Sequence, residues 1–384
     1  MTFLTEFKKQ TSRHLSNIPG WRTNRKIIVI ESDDWGSIRM SSGEAFNSLR
    51  IKGVKASGPD EERYLRNDSL ASENDLSSLF EILASVKDKH YKSAVFTAVS
   101  VVANPDFNKI KENKFQEYFY EPFNETLNRF PKHRGSFKLW QEGLEKRLFV
   151  PQFHGREHLN VANWLKALRA GEQDTMVAFD HGVYGITPRK LLNHISYQAA
   201  FDLEEISEVN DQKSVIRDGL RLFEKLHHYE AEYFIPPNGP FNNSLEEVAA
   251  DEGIKYMGTA KIQSEPIGNG RFRKHYHYLG QKNKYNQLYL TRNCIFEPSS
   301  NLKTDWVDAC MNDISIAFRW YKPAVISSHR VNYIGWINPS NRDKGLMQLK
   351  ALLNIVISKW PDVEFMTSDQ LGWLIKHDKS SSNG

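Results

Sequence analysis

Ile27-Ile28-Val29-Ile30-Glu31-Ser32-Asp33-Asp34-Trp35-Gly36 decides how the rest of the chain is read. It opens as an apolar, β-branched run and ends in two adjacent carboxylates, an aromatic and a glycine. A continuous apolar run predicts a strand buried on both faces, as in a parallel sheet. Carboxylates at the end of such a strand have left the core for the crevice where α/β folds place their chemistry. Neighbouring side chains on a strand point to opposite faces. The expectation is therefore that Asp33 and Asp34 turn into one site in a loop beyond the strand. Taken alone, Asp33-Asp34-Trp35-Gly36 also reads as a turn with a helix cap, and the downstream residues decide between the two.

Outward from this stretch, strand and helix signals alternate. Residues 41–74 form a polar, lid-like insertion with a short helix after Ser42, and Ser72-Glu73-Asn74-Asp75 starts a helix with an apolar stripe through Leu79, Ile82, Leu83 and Val86. Strands are predicted at 93–99, 148–153, 176–179, 233–235, 254–257, 288–290, 324–328 and 363–366. Helices are predicted at 137–144, 161–168, 213–229, 245–249, 305–320 and 346–360, and from Ser368 onward. Residues 261–286 are basic, with His and Tyr interleaved, and read as a surface excursion. The alternation predicts one α/β domain over 26–378, a distorted or incomplete (β/α) barrel of about seven parallel strands with loop insertions. A helical extension, 1–25, precedes it and a disordered tail, 379–384, comes after it.

The chain's 384 residues suit one barrel with insertions, and 40% hydrophobic content supplies a sizeable core. A net charge of +4 with the two signs interspersed argues against nucleic acid as a partner. Cys294 and Cys310 have neither metal-ligand nor redox spacing, so they read as reduced core residues. No run approaches the length of a transmembrane helix or a signal-peptide core, which makes the cytoplasm the expected location. Phe3, Leu4, Phe7 and Leu15 at helical spacing, opposite Lys8, Lys9 and Arg13, leave peripheral membrane contact open. Oligomeric state is not legible.

Several strands close on residues of catalytic type: Asp33 and Asp34, His154 and His158, Asp180 and His181, His329. In a barrel, parallel strands all end on one face, so these side chains would ring one mouth. His154 and His158, four apart, can share one face of a helical turn and reach one metal. Two imidazoles and a carboxylate with open positions suit catalytic zinc, and also non-haem iron.

In order along the chain, these residues resemble the polysaccharide deacetylases, the metal-dependent carbohydrate esterases of family four. Glu31-Ser32-Asp33-Asp34 matches that family's first motif, which implies Asp33 as general base and Asp34 as metal ligand. His154-Gly155-Arg156-Glu157-His158 resembles the second, implying two imidazole ligands. Ile235-Pro236-Pro237-Asn238-Gly239 is similar to the third and Asp305-Trp306 to the fourth. Val325-Ile326-Ser327-Ser328-His329 resembles the fifth and implies His329 as general acid. The resemblance implies hydrolytic removal of an acetyl group from a sugar or polysaccharide, N-acetyl favoured over O-acetyl. It also implies one divalent metal, zinc first and Co2+, Ni2+, Mn2+ or Fe2+ as alternatives. Substrate contacts are expected from Trp35, Pro237, Asn238, Gly239, Trp306, Asp180 and His181, with Trp336 a further ring for stacking.

Three positions depart from the pattern. Gly155 stands for a hydroxyl residue, Ser327 for a leucine lining the acetyl pocket, and Ile235 for an arginine charged against the base. Without that arginine Asp33 should become less acidic unless another cation, Arg156 or Arg292, replaces it. Three rival readings remain: a catalytically silent glycan-binding protein, a glycoside hydrolase using Asp34 and Glu297 across a cleft, and an iron oxygenase with the same ligand types.

Overall fold

The structure is a computed structural model that describes residues 10–378. Phe3, Leu4 and Phe7 of the predicted extension, and the tail 379–384, lie outside the described residues. Nine strands form the main sheet: β1 (Ile27–Trp35), β2 (Phe96–Ser100), β3 (Phe149–Phe153), β4 (Tyr233–Phe234), β5 (Tyr256–Thr259), β6 (Leu288–Thr291), β7 (Cys294–Ile295), β8 (Ala324–His329) and β9 (Glu364–Met366). Their order is β6-β5-β4-β3-β2-β1-β8-β7, with every neighbour parallel. β9 pairs with Ile27 to Val29, ahead of the β1 residues that pair with β2. The fold is a distorted (β/α) barrel, with nine strands where about seven were expected. The one strand that left no sequence signal is β7, only two residues long.

The seam of the barrel is a single extended segment that changes partners. β6 pairs with β5 at one edge of the sheet, and two residues later β7 pairs with β8 at the other edge. Only Arg292 and Asn293 separate them, so Arg292 sits where the two edges meet.

The period-2 geometry of β1 divides the core into two layers. Ile27 and Val29 pack inside the barrel with Val99, Leu290 and Val325, and Leu371 and Ile375 of the helix Ser368–His377 join the same cluster. Ile28 and Ile30 pack outward with Leu79, Leu83, Leu349 and Leu353 of the surrounding helices. The inward series of β1 continues with Glu31 and Asp33, and that of β8 with Ser327 and His329. Thus the alternation that builds the interior also delivers polar side chains to its mouth.

One predicted strand is a helix. Residues 176–179 belong to Gln173–Phe179, whose first turn is capped by Glu172 accepting from the Thr175 backbone N–H at 2.7 Å. Four apolar residues in a row fit either element, and here the cap decides. The basic excursion is also structured: Ile262–Pro266 and Phe272–Tyr276 form an antiparallel hairpin.

Candidate active site

Asp33 and Asp34 both lie within β1, not in a loop beyond it. They share a site because the pairing with β2 shifts register between Ser32 and Trp35, and Asp34 adopts a φ of 75°. A bulge of this kind re-aims a side chain, and Asp tolerates the left-handed region better than most residues. The strain is confined to one residue and puts its carboxylate beside two histidines.

His154 and His158 come after β3 in an irregular loop and not on a helical turn. Gly155, at φ 116°, supplies the bend between them. His154 Nδ1–H donates to the Ile235 carbonyl at 2.7 Å, which leaves Nε2 as a lone pair facing inward. Nε2 of His154 lies 3.5 Å and Nε2 of His158 3.2 Å from Asp34 Oδ1.

These three residues fit a metal. Their ligand atoms all fall within 4.8 Å of one another and every residue is buried. Asp34 Oδ1 receives no hydrogen bond although it is buried, an orphaned acceptor that a cation would satisfy. Bonds of about 2.0–2.2 Å in tetrahedral geometry imply ligand separations of roughly 3.4 Å, close to those observed. Burial, then the Arg39 cation, pushes His158 down to about 4, so it stays neutral as a ligand requires. Burial would raise the Asp34 carboxyl, but Arg39, His158 and His154 outweigh it and hold that group well below the usual carboxylate range.

Arg39 itself left no signal in the sequence. Its Nη2 lies 3.3 Å from Asp34 Oδ2 and 3.4 Å from His158 Nε2. Arg63 and Tyr64, from the helix Pro59–Asn67, complete this wall. The Arg39 and Arg63 guanidinium groups each lie over the Tyr64 ring, 4.5 Å from its centroid, and that ring meets the His329 ring edge-on at 6.1 Å. The insertion therefore contributes directly to the site.

The cation expected near Asp33 is Arg292. Its Nη2 and Nη1 donate to Asp33 Oδ1 and Oδ2 at 2.6 and 2.7 Å, and its Nε donates to Glu31 at 2.5 Å. Ser327 Oγ accepts from Nη1 at 3.1 Å. Burial alone would raise Asp33, yet Arg292, with His154 and His329, lowers it below its ordinary value. Arg156 is engaged with Glu157 and Asp218 instead. The departures at Ile235 and Ser327 are thus coupled: the cation sits at the barrel seam, and the serine helps to hold it.

His329 Nε2 approaches Asp33 Oδ2 at 3.8 Å, while Nδ1–H donates to Glu297 at 2.5 Å. Burial opposes its charge, but Glu297 prevails with help from Asp34 and Asp33, and His329 is raised to about 9. Arg63 donates to the other Glu297 oxygen at 2.7 Å. With both oxygens engaged, Glu297 orients a histidine, and a glycosidic acid paired with Asp34 is not what the geometry presents.

Asp33, Asp34, His154, His158 and His329 all line one cavity of about 1070 Å³, together with Asn238, Gly239 and Ile235. Pro237 packs behind, with its ring towards Gly155. The remaining expected contacts do not line it. Trp35 is 1% exposed, donates to Ser32 and packs against Phe149 and Trp140 in the core. Asp305 caps the helix that Trp306 begins. Asp180 pairs with Lys111, and His181 Nδ1–H donates to the Val177 carbonyl at the end of a helix. Trp336 meets His133.

The fold and site define a (β/α) barrel with a buried two-histidine, one-carboxylate donor set at its mouth. No protein-family model matches the chain, and no curated protein matches it. Among solved structures, polysaccharide deacetylases occur repeatedly at low identity. A probable polysaccharide deacetylase from Pseudomonas aeruginosa PAO1 is 9% identical, covers 92% of each chain and has a TM-score of 0.45. Puue allantoinase is 10% identical, with 94% of each chain covered and a TM-score of 0.45. A 4-alpha-glucanotransferase from Thermococcus litoralis is 10% identical at a TM-score of 0.44; the match covers 91% of this chain and spans 40% of that enzyme.

Proposed function

We propose that this chain is a metal-dependent hydrolase that removes an acetyl group from a sugar or polysaccharide, acting on N-acetyl in preference to O-acetyl groups. One observation carries the reading: the donor set, Asp33 held by Arg292 and His329 held by Glu297 converge on a single cavity. Asp34, His154 and His158 would hold the metal, zinc by donor type, with Co2+, Ni2+, Mn2+ or Fe2+ compatible. When bound, such an ion polarises the acyl oxygen and makes its water more acidic.

The chain's own residues account for the proton movements. Asp33, kept ionised by Arg292, accepts the proton of the attacking water at a carboxylate oxygen. His329 carries a proton at neutral pH and presents Nε2–H to the leaving atom, with Glu297 fixing the ring from the other side. Amide nitrogen departs only once protonated, so an imidazolium held charged to about 9 suits N-acetyl cleavage. Backbone N–H groups of the Asn238-Gly239 turn are the candidate donors to the developing oxyanion.

The test is metal analysis of the purified protein combined with acetate release from a panel of N- and O-acetylated sugars. Stoichiometric zinc with zinc-dependent acetate release, without oxygen consumption, supports the reading. A metal-free preparation that cleaves glycosidic bonds would overturn it.

A further inference from the structure

We propose that the hairpin Ile262–Pro266/Phe272–Tyr276 seats the mouth of the cavity on an anionic membrane surface. The hairpin comes after β5 at the end of the barrel where the cavity opens, and Lys261 and Gln263 line that cavity. Between Lys261 and Asn286 there are six Lys and Arg residues against one acid, Glu265. The whole chain carries only +4, so this segment alone holds more than the net charge of the protein.

Register separates the two faces of the ribbon. Gln263 and Glu265 are buried; Glu265 takes His275 at 2.7 Å, and Asn243 bonds to both of these buried side chains. The opposite face pairs Ile262 with Tyr276 and Ser264 with Lys274, and leaves Ile262, Phe272 and Tyr276 in solvent at 55%, 40% and 73% exposure. Tyr278, just beyond the hairpin, is also exposed. Lys261 Nζ donates to the Ser16 carbonyl at 2.9 Å and fastens a segment that exposes Leu15 and Ile18 alongside. Ile262, Phe272 and Tyr276 thus share one face of the ribbon with Lys274, Arg271 stands exposed in its turn, and Lys282 and Lys284 are exposed in the segment that follows; Arg273 lies on the other face, 3.5 Å from Glu265.

The composition selects the partner. Cations alone would fit any polyanion, and tyrosines would stack on sugars or bases. Exposed Ile262, Leu15 and Ile18 have no stacking face and nothing to offer a phosphate backbone. Exposed aliphatic and aromatic side chains on a segment rich in Lys and Arg match the interface of an acidic bilayer, where apolar groups enter the headgroup region and cations meet the phosphates. No helix of the described residues is long and apolar enough to cross a membrane, so the contact is peripheral.

Flotation of the full chain with phosphatidylcholine vesicles, with and without phosphatidylglycerol, tests this independently of turnover. The chain should float with the anionic vesicles in low salt, remain behind with neutral ones, and be released by added salt. Arg271→Ser/Lys274→Ser/Lys282→Ser, all at exposed positions outside the cavity, should lower the partition coefficient roughly a hundredfold. Ile262→Ser/Phe272→Ser should lower it roughly tenfold, and both variants should keep the wild-type melting temperature. Failure of the wild type to float with anionic vesicles in low salt would overturn the proposal. So would an apolar double variant that binds like wild type while an acidic polysaccharide or single-stranded DNA displaces the vesicles, because the ribbon would then be a polyanion site.

Discussion

Arg292 grips both carboxylate oxygens of Asp33 from 259 residues away in the chain, at 2.6 and 2.7 Å. Glu31, two positions earlier on the same face of β1, accepts its Nε. A guanidinium held by two carboxylates at a barrel seam ties the protonation state of the candidate base to closure of the fold.

Arg292→Met should therefore cost stability as well as turnover. It leaves two carboxylates buried without their cation, and breaking a buried pair from one side costs about 3–5 kcal/mol. The pH dependence has a definite sign. Asp33 is lowered in the folded state, so its pairing stabilises above the unfolded carboxyl value of ~3.9 and is lost as pH falls through the folded value. Urea unfolding should show the full deficit at neutral pH and a narrowing one in acid. An equal deficit at both would mean that Asp33 does not carry the coupling.

Ligand and base should separate experimentally. His154→Ala should lose the metal, measured by elemental analysis, with the far-UV spectrum unchanged. Asp33→Asn should keep the metal and lose ~10²–10⁴-fold in turnover, the usual scale of general-base catalysis. Equal metal loss in Asp33→Asn and Asp34→Asn would remove the division of labour.

Glu297→Gln tests the candidate acid. With Glu297 in place His329 is raised to about 9, so the alkaline limb of kcat/KM should lie near that value. The variant keeps a hydrogen-bond acceptor but loses the charge, and the limb should move down towards the ordinary imidazole value of ~6.5. An unmoved limb would assign the proton donor elsewhere.

Most of the barrel is legible in the sequence because its strands are buried on both faces and its helices carry apolar stripes. Strand ends locate Asp33, Asp34, His154, His158 and His329 for the same reason: they are local features. Arg39 is not legible as a site residue, Arg292 is legible only as one of two candidate cations beside Arg156, and Glu297 only in another role, because each acquires its place through tertiary contact. Arg292 comes directly after a four-residue strand, Arg39 stands two residues ahead of the insertion, and Glu297 lies two residues after β7. Short signals mislead. Residues 176–179 fit strand or helix equally, and Asp180-His181 inherit a strand end that does not exist. Adjacency groups Trp35 with Asp33 and Asp34, whereas the bulge sends the carboxylates and the indole in different directions.

Gly155 offers the sharpest local test, because the resembled motif carries a hydroxyl residue there. At φ 116° a side chain is strained whatever the space around it, and an added Cβ would meet the Pro237 ring at 3.4 Å. Gly155→Ser should cost about 1–3 kcal/mol in backbone strain. It should also weaken metal binding, since relief of that strain moves the backbone between His154 and His158. Gly239→Ser is the control: its φ is 96°, and an added Cβ would meet nothing within 4 Å. Both variants should melt at lower temperature, but only Gly155→Ser should release metal more readily to a competing chelator. Equal chelator sensitivity in the two would show that the histidine loop adapts, and that the glycine sets stability without setting the geometry of the ligands.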